Sequence, residues 1–404
     1  MVVAPPRSAS ILKSQAASSP SPDVPVTSSV STYARLYIIE DKRVSECTLV
    51  LFARDELLAD EYIVIKILSK YKDTRYDLST IDRRQCCQLE ALLRNRTFSP
   101  EVYIGLAPVI DLNLEHGYVN IGPVIEHPTK DLLEPGKEYA LLMKRLPEDR
   151  RLDYLLDEKN TASLRSYICV LTEHIAYLHN HLSSPEFSNE EGMQWGSYKQ
   201  LYNKLQHNLE LLDLVSTSGK FDEHGNAGYS SENLNWLNKT LLQIFQHDHY
   251  RHYFEQRVRN GRIGLCHGDL KSLNIWILQN GDRYCGEPGQ DVKILDAIDF
   301  NSSYCIVDIL SDFAMLVIDV EVRTRSVSLA EEMIDSYLTL TGQDDDVSRQ
   351  VLGYYLVEKA IVGAAISIVY DDLPQLGQRF LEVATTRLQT LQAMQPASQP
   401  LALA

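Results

Sequence analysis

The chain has 404 residues, is 44% hydrophobic, and sets 39 basic against 55 acidic side chains for a formal charge of −16. That composition supports a large core in more than one lobe and disfavours sequence-independent binding to nucleic acid or to an anionic membrane, since both need a positive surface. Its seven cysteines (Cys47, Cys86, Cys87, Cys169, Cys266, Cys285, Cys305) are odd in number and form no Cys-x-x-Cys pair, which argues against a disulfide framework or a zinc cage and for a reducing, cytoplasmic setting.

In chain order, residues 1–33 are rich in Ser, Pro and Ala, and the composition predicts a disordered tail, as it does for residues 394–404. The leader lacks the apolar centre of a secretory signal, and no run of eighteen apolar residues marks a membrane span. From Leu36 to Leu68 the runs RLYIIE, CTLVLF and YIVIKIL are short, β-branched and divided by charged residues, which predicts antiparallel strands. Ser79 to Arg94 reads as a helix with a Ser-Thr cap, and Tyr139 to Met143 as a further strand. Beyond Thr161 the chain is mainly helical. Leu164, Ile168, Leu171, Ile175 and Leu178 fall on one apolar stripe, and Leu201, Leu205, Leu209 and Leu212 on another. The expectation is an α+β chain with a small antiparallel-sheet lobe over residues 34–146 and a large helical lobe over 147–393, the boundary lying near Pro147 to Arg151.

Inside the helical part stands CHGDLKSLNIWIL, Cys266 to Leu278, where His267, Asp269, Lys271 and Asn274 share a tight loop between two short apolar runs. A second run, VKILDAIDF from Val292 to Phe300, brings Asp296 and Asp299 to the end of a strand. Carboxylate and amide oxygens are hard ligands that suit Mg²⁺, whereas zinc favours His or Cys. A magnesium site beside an unliganded aspartate is what phosphoryl transfer requires: the metal neutralises phosphate charge and the free carboxylate takes the proton of the attacking hydroxyl.

HGDLKSLNI resembles the HGDxxxxN catalytic loop of aminoglycoside phosphotransferase-like kinases, and LDAIDF followed by VDILSDFAML resembles that family's metal-binding segment. RNRTFSPEVYIGLAPV and YALLMKRLPEDRRLD are similar to a bacterial phosphotransferase domain often fused to a P-loop kinase domain; no G-x-x-x-x-G-K-[ST] is present here. The resemblance spans residues 34 to 390 and implies a two-lobed protein-kinase-like fold, ATP and Mg²⁺ as cofactors, and a small-molecule hydroxyl as acceptor. It also implies roles. Asp269 is the catalytic base and Asn274 a metal ligand; Lys66 holds the α and β phosphates and pairs with Glu90; Met143, Lys144, Arg145 and Leu146 form the hinge beside the base. The second metal ligand stays open between Asp296, favoured by strand position, and Asp299, favoured by the hydrophobic-Asp-aromatic pattern. His267 and Asp312 brace the loop.

Two departures accompany the resemblance. Residues 31 to 60 contain no glycine, so a hairpin bearing side chains, around Glu46, must cover the phosphates in place of a glycine-rich loop. Lys271 stands where the related group has histidine, and there it either steadies a transferring phosphate or faces solvent. The expected acceptor is a sugar, amino sugar or amino alcohol, with Trp195, Tyr198, Tyr229 and Trp236 as candidate stacking surfaces in the long helical segment 183–260. The histidines 247, 249 and 252, and likewise 174, 179 and 181, read as solvated helix positions, and Cys86-Cys87 as helix packing. Two alternatives to the enzyme are a pseudokinase that binds nucleotide to regulate a partner and a Ser/Thr protein kinase.

Overall fold

The computed structural model describes residues 33–58, 61–73, 77–157, 161–182, 194–217, 231–286, 290–299 and 301–394. All but the innermost residue of each predicted tail, and Tyr229, therefore lie outside the described residues. Six strands make the first part: β1 (Arg35–Val44), β2 (Thr48–Asp55), β3 (Tyr62–Leu68), β4 (Tyr103–Asn113), β5 (Tyr118–Ile121) and β6 (Tyr139–Lys144). All their pairings are antiparallel, as the β-branched runs predicted. The sheet is not open, however. Its order β1-β2-β3-β6-β4-β5 closes because β5 also pairs with β1, through Arg35 opposite Ile121 to Ile38 opposite Tyr118.

Register irregularities between Ile39 and Asp41, Tyr103 and Gly105, and Val109 and Asp111 supply the bending that closure needs. Side chains alternate across the barrel wall. Leu49, Leu51 and Ala53 meet Ile63, Ile65 and Ile67 inside, while Thr48, Val50, Phe52, Val64 and Lys66 point the other way, toward a cleft.

Helix α1 (Ile81–Phe98) packs on the barrel, starting two residues later than the predicted span, with Thr80 as its N-cap accepting from the Arg83 N–H at 3.3 Å. Four of its seven buried side chains are Arg84, Gln85, Gln88 and Asn95. They are buried because each finds polar partners: Gln88 Nε2, for example, donates to Lys66 O at 2.8 Å and Tyr139 O at 3.2 Å, and Asn95 Nδ2 donates to Ala91 O of its own helix at 2.9 Å.

After β6 come α2 (Leu152–Leu156), α3 (Thr161–Leu182), α4 (Tyr198–Thr217), α5 (Ser231–Gln246) and α6 (Asp248–Arg259). Next are β7 (Ile263–Leu265), β8 (Ile275–Gln279), β9 (Gln290–Ile294), α7 (Ser302–Cys305) and β10 (Ile306–Asp308). Last are α8 (Ile309–Thr324), α9 (Val327–Leu340), α10 (Asp346–Ala365), a π turn (Ile366–Tyr370) and α11 (Pro374–Ala393). The two short apolar runs around Cys266–Leu278 are β7 and β8; β8 forms a hairpin with β9, whose end carries Asp296. Helix α8 is the axis of this half and is buried from Ile309 to Val322. The span Asp346–Tyr370 is long and apolar enough to cross a membrane, but most of it is buried among the other helices.

Three of the aromatic residues proposed as stacking surfaces, Trp195, Tyr198 and Trp236, are committed to this packing. Tyr198 stacks on Phe245 at 4.7 Å, Trp236 packs against the main core, and Trp195 lies against the small cluster of Val258, Ile263, Cys305 and Ile306.

Candidate active site

A cleft of about 860 Å³ lies between the outer face of the barrel and the β8-β9 hairpin. Its barrel side carries Lys66, its far side Asn274 and Asp296, and its lining also includes Met143, Lys144, Arg145 and Leu146, the run expected to form a hinge. Trp276 and Leu295 give it an apolar floor. Basic groups outnumber acidic ones along the walls, with Lys66, Arg43, Lys144, Arg145, Arg151 and Arg283 against Glu40, Glu148 and Asp296. In a chain of charge −16 this is a local reversal suited to a polyanion.

The loop between β7 and β8 is held by buried carboxylates behind it. Gly268 takes φ +84°, and a Cβ there would come within 2.7 Å of Tyr304 O, so the position requires glycine. The N–H groups of His267 and Gly268 donate to Asp312 Oδ2 and Oδ1 at 2.9 and 2.8 Å, and Ser272 N–H donates to Asp319 Oδ2 at 2.7 Å. Both carboxylates come from α8. His267 Nε2 lies 2.9 Å from Leu295 O, which only a protonated nitrogen can approach, leaving Nδ1 to accept from the Asp269 N–H at 3.3 Å. His267 thus ties the loop to the acidic strand end.

Asp269 is about one-third exposed. Its Oδ2 accepts from Lys271 Nζ at 2.9 Å and from Asn274 Nδ2 at 3.2 Å. Asn274 Nδ2 also donates to Asp269 O at 2.9 Å. With the amide nitrogen engaged twice, the amide oxygen is the atom left to meet a cation. Burial works against the Lys271 charge, but Asp269, followed by Asp319 and Asp371, outweighs it and holds the pKa above the ordinary lysine value.

Asp296 sits at the cleft with φ +63°, a left-handed backbone that is uncommon outside glycine, asparagine and aspartate and costs on the order of 1–3 kcal/mol. The surroundings enforce it: Asp296 N–H donates to Tyr103 Oη at 3.0 Å, and Ala297 N–H to Asn95 Oδ1 at 2.8 Å. Tyr103 Oη itself donates to Asn95 at 2.9 Å. Arg94 completes the support from α1, donating to Ile298 O at 3.0 Å. Asp296 Oδ1 pairs with Lys66 Nζ at 2.7 Å, while the side chain keeps 64% of its surface accessible. That lysine holds the Asp296 carboxyl below the usual carboxylate range. For Lys66 burial opposes the charge, but Asp296 and Asp299 override it and raise the pKa.

The predicted Lys66–Glu90 pair is therefore corrected: the partner of Lys66 is Asp296. Glu90 is exposed on α1, and its carboxyl is pushed up by partial burial and by Asp299, against the pull of Arg94 one turn on. Asp299 is half-buried, and burial together with Asp296 raises its pKa although Lys66 pulls it down. Asp299 does not line the cleft; Asp296 does. Cys87 faces the same region, its thiol pushed up to about 12 by burial, Asp299 and Glu90.

Several supports escaped the sequence reading, Arg94 and Asp319 among them. Asn95 and Tyr103 act through backbone groups about two hundred residues away, and no local pattern marks them. His179 is not a solvated helix residue: it is 2% exposed, with Nδ1 2.6 Å from Tyr337 Oη and Nε2 3.3 Å from Asp312 Oδ2. Its place four residues after Ile175, at the edge of the α3 stripe, was the available signal. Among the described residues, His179, Cys266 and Asp312 bring possible metal-ligating atoms within 4.8 Å of one another. Burial drives the Cys266 thiol far up, and His179 and Asp312 are engaged in hydrogen bonds with each other and with the loop.

No protein-family model and no curated protein matches this chain. Among solved structures it is similar to an aminoglycoside phosphotransferase from Alicyclobacillus acidocaldarius (13% identity, 93% of this chain and 97% of that one, TM-score 0.46). It is also similar to a choline kinase from Cryptosporidium parvum (12% identity, 89% and 88%, TM-score 0.46). An ethanolamine kinase from Plasmodium vivax is a third (13% identity, 88% and 83%, TM-score 0.42).

Proposed function

We propose that this protein is an ATP- and Mg²⁺-dependent phosphotransferase of the protein-kinase-like, two-lobed class, acting on a hydroxyl of a small molecule. The observation that carries the reading is the meeting of Lys66 from the barrel with Asp296 and Asn274 from the helical half across one cleft, with Asp269 bonded to Asn274 beside it.

The donor set fits a magnesium ion. Asn274 Oδ1 and the Asp296 carboxylate are hard oxygen donors lining the cleft, and the hydrogen bonds of Asn274 leave its oxygen available, whereas Asp299 stands off the cleft wall. When bound, the metal neutralises phosphate charge. Lys66 holds the phosphates from the barrel side, and the hinge and Trp276 enclose the base. Asp269 accepts the proton of the acceptor hydroxyl as it attacks, and Lys271, fixed by Asp269, offers a cation to the transferring group. The acceptor in this reading is a sugar, amino sugar or amino alcohol, and the odd cysteine count without a Cys-x-x-Cys pair supports a cytoplasmic setting.

Asp269→Asn tests the base. It is nearly isosteric and keeps an oxygen for Lys271, so turnover should fall by roughly 10² to 10⁴-fold while ATP affinity holds. Phosphate transfer across a panel of hydroxyl acceptors and ATP titration of both proteins provide the measurement. Equal transfer rates would end the assignment of Asp269. A wild type that binds ATP yet transfers to no acceptor would instead make the protein a nucleotide-binding regulator.

A further inference from the structure

The barrel covers the cleft without the feature that ordinarily receives phosphates. The β1-β2 turn has no glycine, and the first glycine of the chain is Gly105. Two of the turn's N–H groups are already spent inside it: Ser45 N–H donates to Thr48 O at 2.9 Å and Thr48 N–H to Ser45 Oγ at 3.1 Å. They cannot cradle an anion as free amides of a glycine turn do.

A side chain stands in the right row to replace them. Arg43 is directly opposite Val50 in the β1-β2 register, and Val50 is directly opposite Lys66 in the β2-β3 register. Directly opposed residues share a face, and all three line the cleft. Arg43 and Lys66 therefore stand two strands apart, roughly 10 Å between backbones, on the same wall. The present partner of Arg43 is Glu148, just past the hinge, at 2.9 Å, with both side chains about half exposed. A pair so open to water is weakly held. Glu148 also has Arg151 at 3.2 Å, so it keeps a cation when Arg43 leaves. The guanidinium lies over the Phe52 ring at 5.1 Å, a flat support in the same wall.

We propose that Arg43 is a second phosphate-holding cation of this cleft, exchanging Glu148 for the polyphosphate of the nucleotide. The inference rests on the nucleotide reading above and adds a residue to it. Arginine suits the role because its planar fork meets two phosphate oxygens at once.

The test is a titration of wild type, Arg43→Met and Arg43→Lys with adenosine, AMP, ADP and ATP, with melting temperatures recorded beside it. Arg43→Met should weaken ADP and ATP on the order of tenfold or more and leave adenosine within about twofold, with Arg43→Lys between. A merely structural arginine would lower affinity for all four alike, and that result, or an unchanged ATP affinity in Arg43→Met, overturns the proposal. A wild type that binds neither adenosine nor ATP overturns the nucleotide reading itself, which separates the two failures.

Discussion

Asp312 shows how much one side chain contributes here. Its two oxygens receive the N–H groups of His267 and Gly268, and His179 approaches from α3. Burial alone would favour the neutral acid, but the hydrogen bond and charge of His179, with further help from His267, hold the carboxyl below the usual range. Because the folded pKa lies under the unfolded one, the stability it confers is present above about pH 4 and is lost as pH falls through the folded value. Asp312→Ala leaves two buried N–H groups unpaired, at about 1–3 kcal/mol each. A clear drop in melting temperature at pH 7 is expected, together with loss of any transfer activity. Asp312→Asn, which carries no charge to lose, should flatten part of the decline in melting temperature below about pH 4. A decline as steep as in the wild type would remove Asp312 from the acid response.

At the scale of elements, α1 is more than a cover for the barrel. Its C-terminal turns deliver Arg94 and Asn95 to the strand end that carries Asp296, so the helix sets the strained backbone of an acidic residue remote in sequence. Asn95→Ala removes the acceptor for both Ala297 N–H and Tyr103 Oη. The expected outcome is a loss of about 2 kcal/mol in stability, read as a lower melting temperature. The Mg²⁺ concentration for half-maximal turnover should also rise, as Asp296 relaxes from its left-handed conformation. An unchanged magnesium dependence with lowered stability would restrict Asn95 to packing.

Across the whole molecule, the helical half is locked around a charge pair at the start of α8. Arg257 from α6 donates through Nε and Nη2 to both oxygens of Asp308, at 2.5 and 2.7 Å, and Nη2 also donates to Gln343 at 2.7 Å. Asp308 in turn caps α8, accepting from Leu310 N–H at 3.0 Å. Removing one partner of such a buried pair strands the other. Arg257→Ala should therefore cost about 3–5 kcal/mol, read as a large fall in melting temperature. Arg257→Lys, which cannot make the two-pronged contact, should recover only a minor part. Since α8 also carries Asp312 and Asp319, the same variant should loosen the loop of Asp269, which faster amide exchange at His267 and Gly268 would reveal.

Alternation and helical spacing are local properties, and they were enough to mark β1 to β3, α1, and the stripes of α3 and α4, whose leucines are buried or half-buried. The same locality makes Asp269 and Asn274 readable as a unit, because five residues of chain hold them together whatever the rest does. Closure of the barrel was not readable, since it depends on β5 returning to β1 across more than seventy residues. Nor was the partner of Lys66, which is chosen among carboxylates by folding and lies 230 residues away. His179 looked like its exposed neighbour His181, and only the packing of α3 against Tyr337 and Asp312 separates a buried imidazole from a solvated one. Patterns of two, three and four residues are written by backbone geometry within one element. Which polar groups meet across elements is decided by the packing of the core, where each buried donor takes whichever acceptor the tertiary structure brings to it.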